Sequence, residues 1–310
     1  MIRMTLDLGT NTCLMLVAEV NLQTHRVEKV LHDESRIVRL GQGVDQNRKF
    51  HPEAMKRTLS ALSEYSILAK SLGQNPAQAV CVATSQARDA KNSAEFFSEV
   101  EQKTGFRFQV ISGEDEARYT FMGALLPGMD PAHSAVIDIG GGSTEIISLG
   151  ERKSIDIGSV RYTERFLHSN PVRDEEFWEC QEAIDHELEA FVSWRKSLQQ
   201  APQVVAVAGT VTTLAAWYQG LDRFDAKKID ALVLTRGDVH RMVEELKWRT
   251  IDERRKLPCM EPMRADVILA GALILWRIME RLDLTQCTIS TRGLRYGVLQ
   301  LNSLKTVENQ

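Results

Sequence analysis

Ala135-Val136-Ile137-Asp138-Ile139-Gly140-Gly141-Gly142-Ser143-Thr144-Glu145-Ile146-Ile147-Ser148-Leu149 is the stretch that sets the fold. An apolar run carrying one aspartate enters a turn of three glycines and two hydroxyl residues, and a second apolar run leaves it. β-branched runs on either side of a glycine cluster predict two strands joined by a tight turn. The same unit occurs near the start of the chain. There Thr5-Leu6-Asp7-Leu8-Gly9-Thr10-Asn11-Thr12 leads into Cys13-Leu14-Met15-Leu16-Val17-Ala18-Glu19-Val20. Asp7 and Asp138 are 131 residues apart in a chain of 310. That separation is about one domain, so the repeat predicts two similar lobes and not a solenoid of short units.

Helical patterns lie between the strands. Pro52 to Leu72 puts Met55, Leu59, Leu62 and Ala69 on one face, and Gly73 ends it. Ser112 reads as an N-cap with Asp115 three residues on, and Thr235-Arg236-Gly237-Asp238 opens another helix by the same logic. Asp174 to Leu198 is predicted to be one long helix, with Phe177, Ile184, Leu188 and Phe191 roughly in register. Val267 to Trp276 is a purely apolar run of ten, too short to span a bilayer and therefore predicted to be a buried helix. Alternating strands and helices give an α/β fold. The first lobe is expected over 1–116, with 290–310 a candidate completion of it, and the second over 117–289. The connections are expected near Ser112–Ala117 and Gln286–Arg292.

Composition is that of an ordinary folded protein, 43% hydrophobic and 26% charged, with formal net charge −4. No chain-wide basic surface is available for nucleic acid, so a polyanion would have to be held locally. The five cysteines form no CxxC pair and are odd in number, which argues for single thiols in a reducing cytoplasm. Asp7 and the turn after it interrupt what would be the apolar core of a signal peptide, and no membrane association is expected. His133, His168, His186 and His240 have no metal-like spacing.

Glycine lets a backbone approach a ligand closely, successive N–H groups form an anion-binding concavity, and hydroxyls add donors. A single such turn is an ordinary hairpin. Two matching turns, each behind a strand aspartate that is costly to bury, point to phosphate. The aspartates could hold hydrated Mg²⁺ against the same phosphates. Glu114, Asp115 and Glu116 crowd the first turn of one predicted helix, where the dipole accounts for the first two and leaves the direction of Glu116 open. Ala83–Asn92 follows a strand-like run, where α/β sheets place ligands, but by itself reads more simply as a solvated helix start. Val204–Leu214 runs as a strand through Gly209-Thr210 into a helix, whose N-terminus could take an anion. Arg264 could fork a phosphate or pair with Asp266 or Glu261.

Taken in order, DLGTNT (Asp7–Thr12), ATSQARDAKN (Ala83–Asn92), ISGEDEAR (Ile111–Arg118), VIDIGGGSTE (Val136–Glu145), IGSVRYTERF (Ile157–Phe166), AGTVTTLA (Ala208–Ala215), RAD (Arg264–Asp266) and RGLRYGVL (Arg292–Leu299) resemble the exopolyphosphatase/guanosine pentaphosphate phosphohydrolase family over nearly the whole chain. The resemblance implies the actin-like ATPase fold, two RNase H-like lobes around a central cleft. It implies phosphate binding by Gly9, Thr10 and Asn11 and by Gly140, Gly141, Gly142 and Ser143. Glu116 falls at the position that orients or deprotonates the attacking water. Asp138 and Glu145 fall at positions associated with catalysis and the divalent metal, with Asp7 a further metal candidate. Arg88 and Arg264, with Gly209 and Thr210, fall at phosphate-binding positions. Two departures stand out: Ala208 where the family often has glycine, and Gln86 where a small or apolar residue is usual. The sequence resembles the short two-lobe form, which lacks the further helical region of longer members.

The expected reaction is in-line attack of water on a terminal phosphorus of inorganic polyphosphate or guanosine pentaphosphate, with Mg²⁺ or another hard divalent cation. The oligomeric state is left open, a homodimer among the options. An actin-like ATPase or sugar kinase would use the same paired turns to pass phosphate from ATP to a hydroxyl. A sensor binding guanosine tetra- or pentaphosphate with feeble turnover would need the same residues.

Overall fold

Eleven strands in a computed structural model of the chain, which describes residues 1–149, 151–194 and 203–307, form two sheets among the described residues. The chain's contacts divide it into Met1–Gly123 together with the segment from Leu294 onward, and Ala124–Gly293.

The first unit holds β1 (Ile2–Leu8), β2 (Thr12–Val20), β3 (Val27–Ile37), β4 (Val80–Ala83) and β5 (Phe108–Val110), in the order β3-β2-β1-β4-β5. β1, β2 and β3 form an antiparallel meander, and β4 and β5 add in parallel. Side chains alternate across a strand, and both faces are covered. Leu6, Leu8, Met15 and Val17 pack with Leu62, Tyr65, Phe96 and Phe106 on one face. Leu62 and Tyr65 belong to α1 (Pro52–Ser71), which Gly73 terminates in the left-handed region at φ 71°. Leu16 and Ala18 point the other way, onto Tyr296 and Leu299 of the terminal helix Leu294–Val307. Thr5 lies on this second face, its hydroxyl donating to the Arg295 carbonyl at 3.1 Å. Two residues along β1, Asp7 shares that face.

The second unit holds β6 (Ser134–Ile139), β7 (Thr144–Ser148), β8 (Arg152–Ile155), β9 (Gln203–Val207), β10 (Val233–Thr235) and β11 (Gln286–Ile289), in the order β10-β11-β9-β6-β7-β8. β6, β7 and β8 repeat the meander, and β9 and β11 repeat the parallel additions. The repeat read from two short motifs therefore extends through five strands of each unit. Ala135, Ile137, Ile139 and Ile146 face the main core, with Leu269, Leu273 and Ile278 of the helix Ile268–Arg281. Asp138 and Glu145, offset by one residue from that set, lie on the opposite face.

Two expectations change and one holds. The long helix ends as an α-helix at Leu188 and tightens into a 3-10 turn over Glu189–Trp194. Leu188 and Phe191, three residues apart, are both fully buried, and the tighter turn suits that spacing; residues 195–198 lie outside the described region. The apolar run forms the expected buried helix, Ile268–Arg281, after a 3-10 turn, Pro262–Arg264. Ala83–Asn92 is no solvated helix start, because Thr84, Ser85 and Gln86 are buried. No helix among the described residues is long and apolar enough to cross a membrane.

Candidate phosphate and catalytic site

The two turns close in the same way. Gly9 N–H donates to the Thr12 carbonyl at 2.8 Å, and Gly140 N–H donates to the Ser143 carbonyl at 3.0 Å. In each, the carbonyls between are taken by a segment packed behind the turn. Thr10 O accepts from Gly41 N (2.9 Å), and Asn11 O accepts from Val38 N and Arg39 N (2.9 and 3.0 Å). In the second unit Gly140 O accepts from Ser159 N (3.0 Å), and Gly141 O from Val160 N and Arg161 N (2.9 and 3.0 Å). Gly142 O accepts from Arg161 Nε at 2.8 Å. A trans peptide points its C=O and the next N–H in opposite directions. The N–H groups of Asn11 and Thr12, and of Gly141, Gly142 and Ser143, therefore face away from the backing segments. That is the array of donors an anion needs.

Gly158 makes the second backing possible. A Cβ there would stand 2.4 Å from the Gly141 carbonyl carbon and oxygen. Neither Gly158 nor Arg161 was expected to have a role, although both lie in the Ile157–Phe166 motif. Gly158 packs against a backbone 17 positions earlier and Arg161 bonds to carbonyls 19 and 20 positions earlier, separations that no local pattern encodes.

The carboxylates differ between the turns. In the antiparallel register Asp138 stands opposite Glu145, whereas Asp7 stands opposite Leu14. Directly opposed like charges are unfavourable, and both second-unit side chains lie on one face beside the amide turn. Ser154 Oγ donates to Glu145 Oε1 at 2.7 Å. A hard cation that keeps waters and binds one or two carboxylates with substrate phosphates suits this pair. Among the described residues no group of three His, Cys, Asp or Glu side chains forms a protein-only metal cage. In the first unit Asp7 is buried, and Asn11 Oδ1 is a buried acceptor with no hydrogen-bond partner. An acceptor left over in such a turn suits a hydrated cation better than it suits phosphate. Arg295 supports this end of β1. Burial alone would lower its pKa, but its bidentate pairing with Asp33 (3.0 and 2.9 Å) and the nearby Asp7 raise it.

The capped acidic helix Gly113–Ala124 sorts its three carboxylates. Asp115 N–H donates to Ser112 Oγ at 3.0 Å, the expected cap, and Asp115 also pairs with Arg118. Glu114 is exposed. Glu116 turns inward onto Arg88, whose Nη1 donates to Glu116 Oε2 at 2.8 Å and to the Ile111 carbonyl at 2.9 Å. Burial raises the Glu116 pKa, while Arg88 and the Thr84 hydroxyl pull it back without cancelling the shift. A carboxylate with a raised pKa is a stronger base.

The third loop looks different. Arg264 lies so close over Gly209 that a Cβ there would be 2.0 Å from Nη1. Its Nη1 donates to Thr213 Oγ1 at 3.1 Å, and its Nε is buried without a partner. Burial lowers its pKa to about 10, against the pull of Glu261. Thr210 packs against Gly271 of the apolar helix. The structure thus brings Arg264 and Gly209 together and turns Thr210 toward the core. Ala208 sits at φ 77°, the left-handed region where glycine is at ease.

Two RNase H-like units, each with an Asp-led amide turn, define a protein of the actin-like ATPase fold. The pattern of the Ppx/GppA phosphatase family matches residues 17–306, and the chain belongs to that family. A relative named exopolyphosphatase 2 from Mycobacterium tuberculosis is 38% identical, over 94% of this chain and 96% of its own length. A solved structure described as an exopolyphosphatase-like protein has TM-score 0.88 at 30% identity, covering 99% of this chain and all of the other. The Aquifex aeolicus Ppx/GppA family member has TM-score 0.76 at 29% identity, covering 100% and 99%.

Proposed function

We propose that this chain is a phosphohydrolase that releases orthophosphate from the end of inorganic polyphosphate. The observation that carries the reading is Glu116, buried, raised in pKa and held by Arg88, in the same unit as an amide turn that a phosphate can enter. Family membership and the 38% identical exopolyphosphatase support it.

Water attacks the terminal phosphorus in line. The bond to the bridging oxygen breaks, its electron pair leaves with the shortened chain, and the water proton passes to Glu116. Positioned base catalysis of this kind contributes roughly 10²–10⁴-fold. The outward N–H groups of each turn bind and orient phosphate oxygens, and Arg88 keeps Glu116 directed. Asp138 and Glu145 would hold Mg²⁺, and Asp7 is a candidate ligand within its own unit; a bound cation would supply neutralisation of charge on the phosphates.

The test is orthophosphate release from inorganic polyphosphate and from guanosine pentaphosphate under matched conditions, with Mg²⁺ and with excess chelator. Release from polyphosphate that chelator abolishes is expected. Guanosine pentaphosphate as the better substrate would move the assignment to the nucleotide. Binding of either without release would leave a sensor, and release only from ATP to a hydroxyl acceptor would leave a kinase.

A further inference from the structure

Gln86 is a buried amide, and its contacts join parts of the site that are far apart in sequence. It is 2% exposed. Its Nε2 donates to the Leu8 carbonyl at 2.8 Å. Its Oε1 accepts from Thr10 Oγ1 at 3.3 Å and lies 3.5 Å from Thr84 Oγ1. Leu8 and Thr10 flank Gly9, whose N–H closes the turn. One side chain thus spans the phosphate turn from its entry carbonyl to its first hydroxyl. We propose that Gln86 is a positioning residue that locks the first unit's phosphate turn at a fixed distance from Glu116.

Three features support the proposal, which rests on the phosphohydrolase reading. Gln86 and Arg88 both belong to the short helix Ser85–Asp89, one gripping the turn and the other gripping Glu116. Gly41 closes over the same spot: a Cβ there would be 2.3 Å from the Thr10 methyl and 3.2 Å from Gln86 Cβ. The Thr10 hydroxyl hydrogen is committed to Gln86, so Thr10 offers a ligand only lone pairs. The donors for phosphate are then the Asn11 and Thr12 N–H groups, whose aim depends on the turn being held. An alanine at position 86 would leave the Thr10 hydroxyl and the Leu8 carbonyl without this partner.

A double-mutant cycle on the full chain tests this, read as orthophosphate release from inorganic polyphosphate beside thermal unfolding. Gln86→Met keeps the length and removes both hydrogen-bonding groups. Thr10→Val keeps the branch and removes the hydroxyl. Each is expected to lower kcat by about tenfold with a smaller change in KM, because misplacement is felt most in the transition state. The double variant is expected to lose about the same tenfold, and not a hundredfold, because the two act as one unit. Gln86→Ala should repeat the Gln86→Met result if methionine overfills the site. Wild-type kcat in a folded Gln86 variant, even with a lower Tm, would overturn the proposal, and so would losses that multiply in the double variant. If the wild-type chain releases no orthophosphate, the phosphohydrolase reading itself fails, which is a separate outcome.

Discussion

The guanidinium of Arg88 meets the carboxylate of Glu116 at 2.8 Å, and the two side chains are unequally exposed, 28% against 9%. Arg88 keeps much of its water while Glu116 loses nearly all of it. The desolvation cost therefore falls on the acid, and it outweighs the attraction of a cation in contact.

This inequality fixes a pH dependence. A base works ionised, so turnover is lost as pH falls through the Glu116 pKa, which lies above that of an ordinary glutamate. Arg88→Met removes the largest influence holding that pKa down. The acid limb of the kcat profile should move to higher pH in the variant. An unchanged or lower limb would contradict the assignment of the base.

Gly158 should be intolerant of a methyl group because the Gly141 carbonyl lies where Cβ would stand. Gly158→Ala is expected to cost about 1–3 kcal/mol of stability through overpacking, and to lower turnover by disturbing the amide turn. Gly73→Ala is the comparison. Gly73 has φ 71° with nothing within 4 Å, so that variant should lose stability through strain yet keep its turnover. Equal turnover in both variants would remove Gly158 from the site.

Ala208 carries backbone strain that glycine would relieve. Ala208→Gly is expected to raise the unfolding free energy by about 1 kcal/mol, the left-handed penalty less part of glycine's entropic cost. It would appear as a higher denaturant midpoint at unchanged m. A lower midpoint would mean that the left-handed conformation at φ 77° is not costly here.

The sequence disclosed what is local. Glycine and hydroxyl residues behind strand aspartates mark both turns, and the repeated spacing marks two lobes. The caps at Ser112 and Thr235 were legible because cap and partner lie three residues apart. What stayed hidden depends on distance along the chain. A helix dipole accounts for Glu114 and Asp115 and leaves the direction of Glu116 open, and only the packing of Arg88 from 28 positions away supplies that direction. Gln86 stood out as a departure, yet its bond to Leu8 spans 78 positions and no periodicity carries it. Thr210 falls at a phosphate-binding position by its resemblance to the family, and its packing against Gly271, remote in sequence, lies outside any local pattern.

The most direct test of the central claim is orthophosphate release from polyphosphate by Glu116→Gln beside Glu114→Gln. Glutamine keeps the shape and hydrogen bonds of Glu116 but cannot take the water proton. Turnover should fall by about two orders of magnitude or more, with polyphosphate binding intact or tighter. Stability provides a check of sign. A buried acid whose folded pKa is raised stabilises the fold below its unfolded value, and that contribution is lost as pH rises through the folded value. At neutral pH Glu116→Gln should therefore be as stable as the wild type or more so, which separates lost chemistry from lost fold. Glu114, exposed on the same helix turn, should be replaceable without effect. A well-folded Glu116→Gln that releases orthophosphate at the wild-type rate would contradict the account.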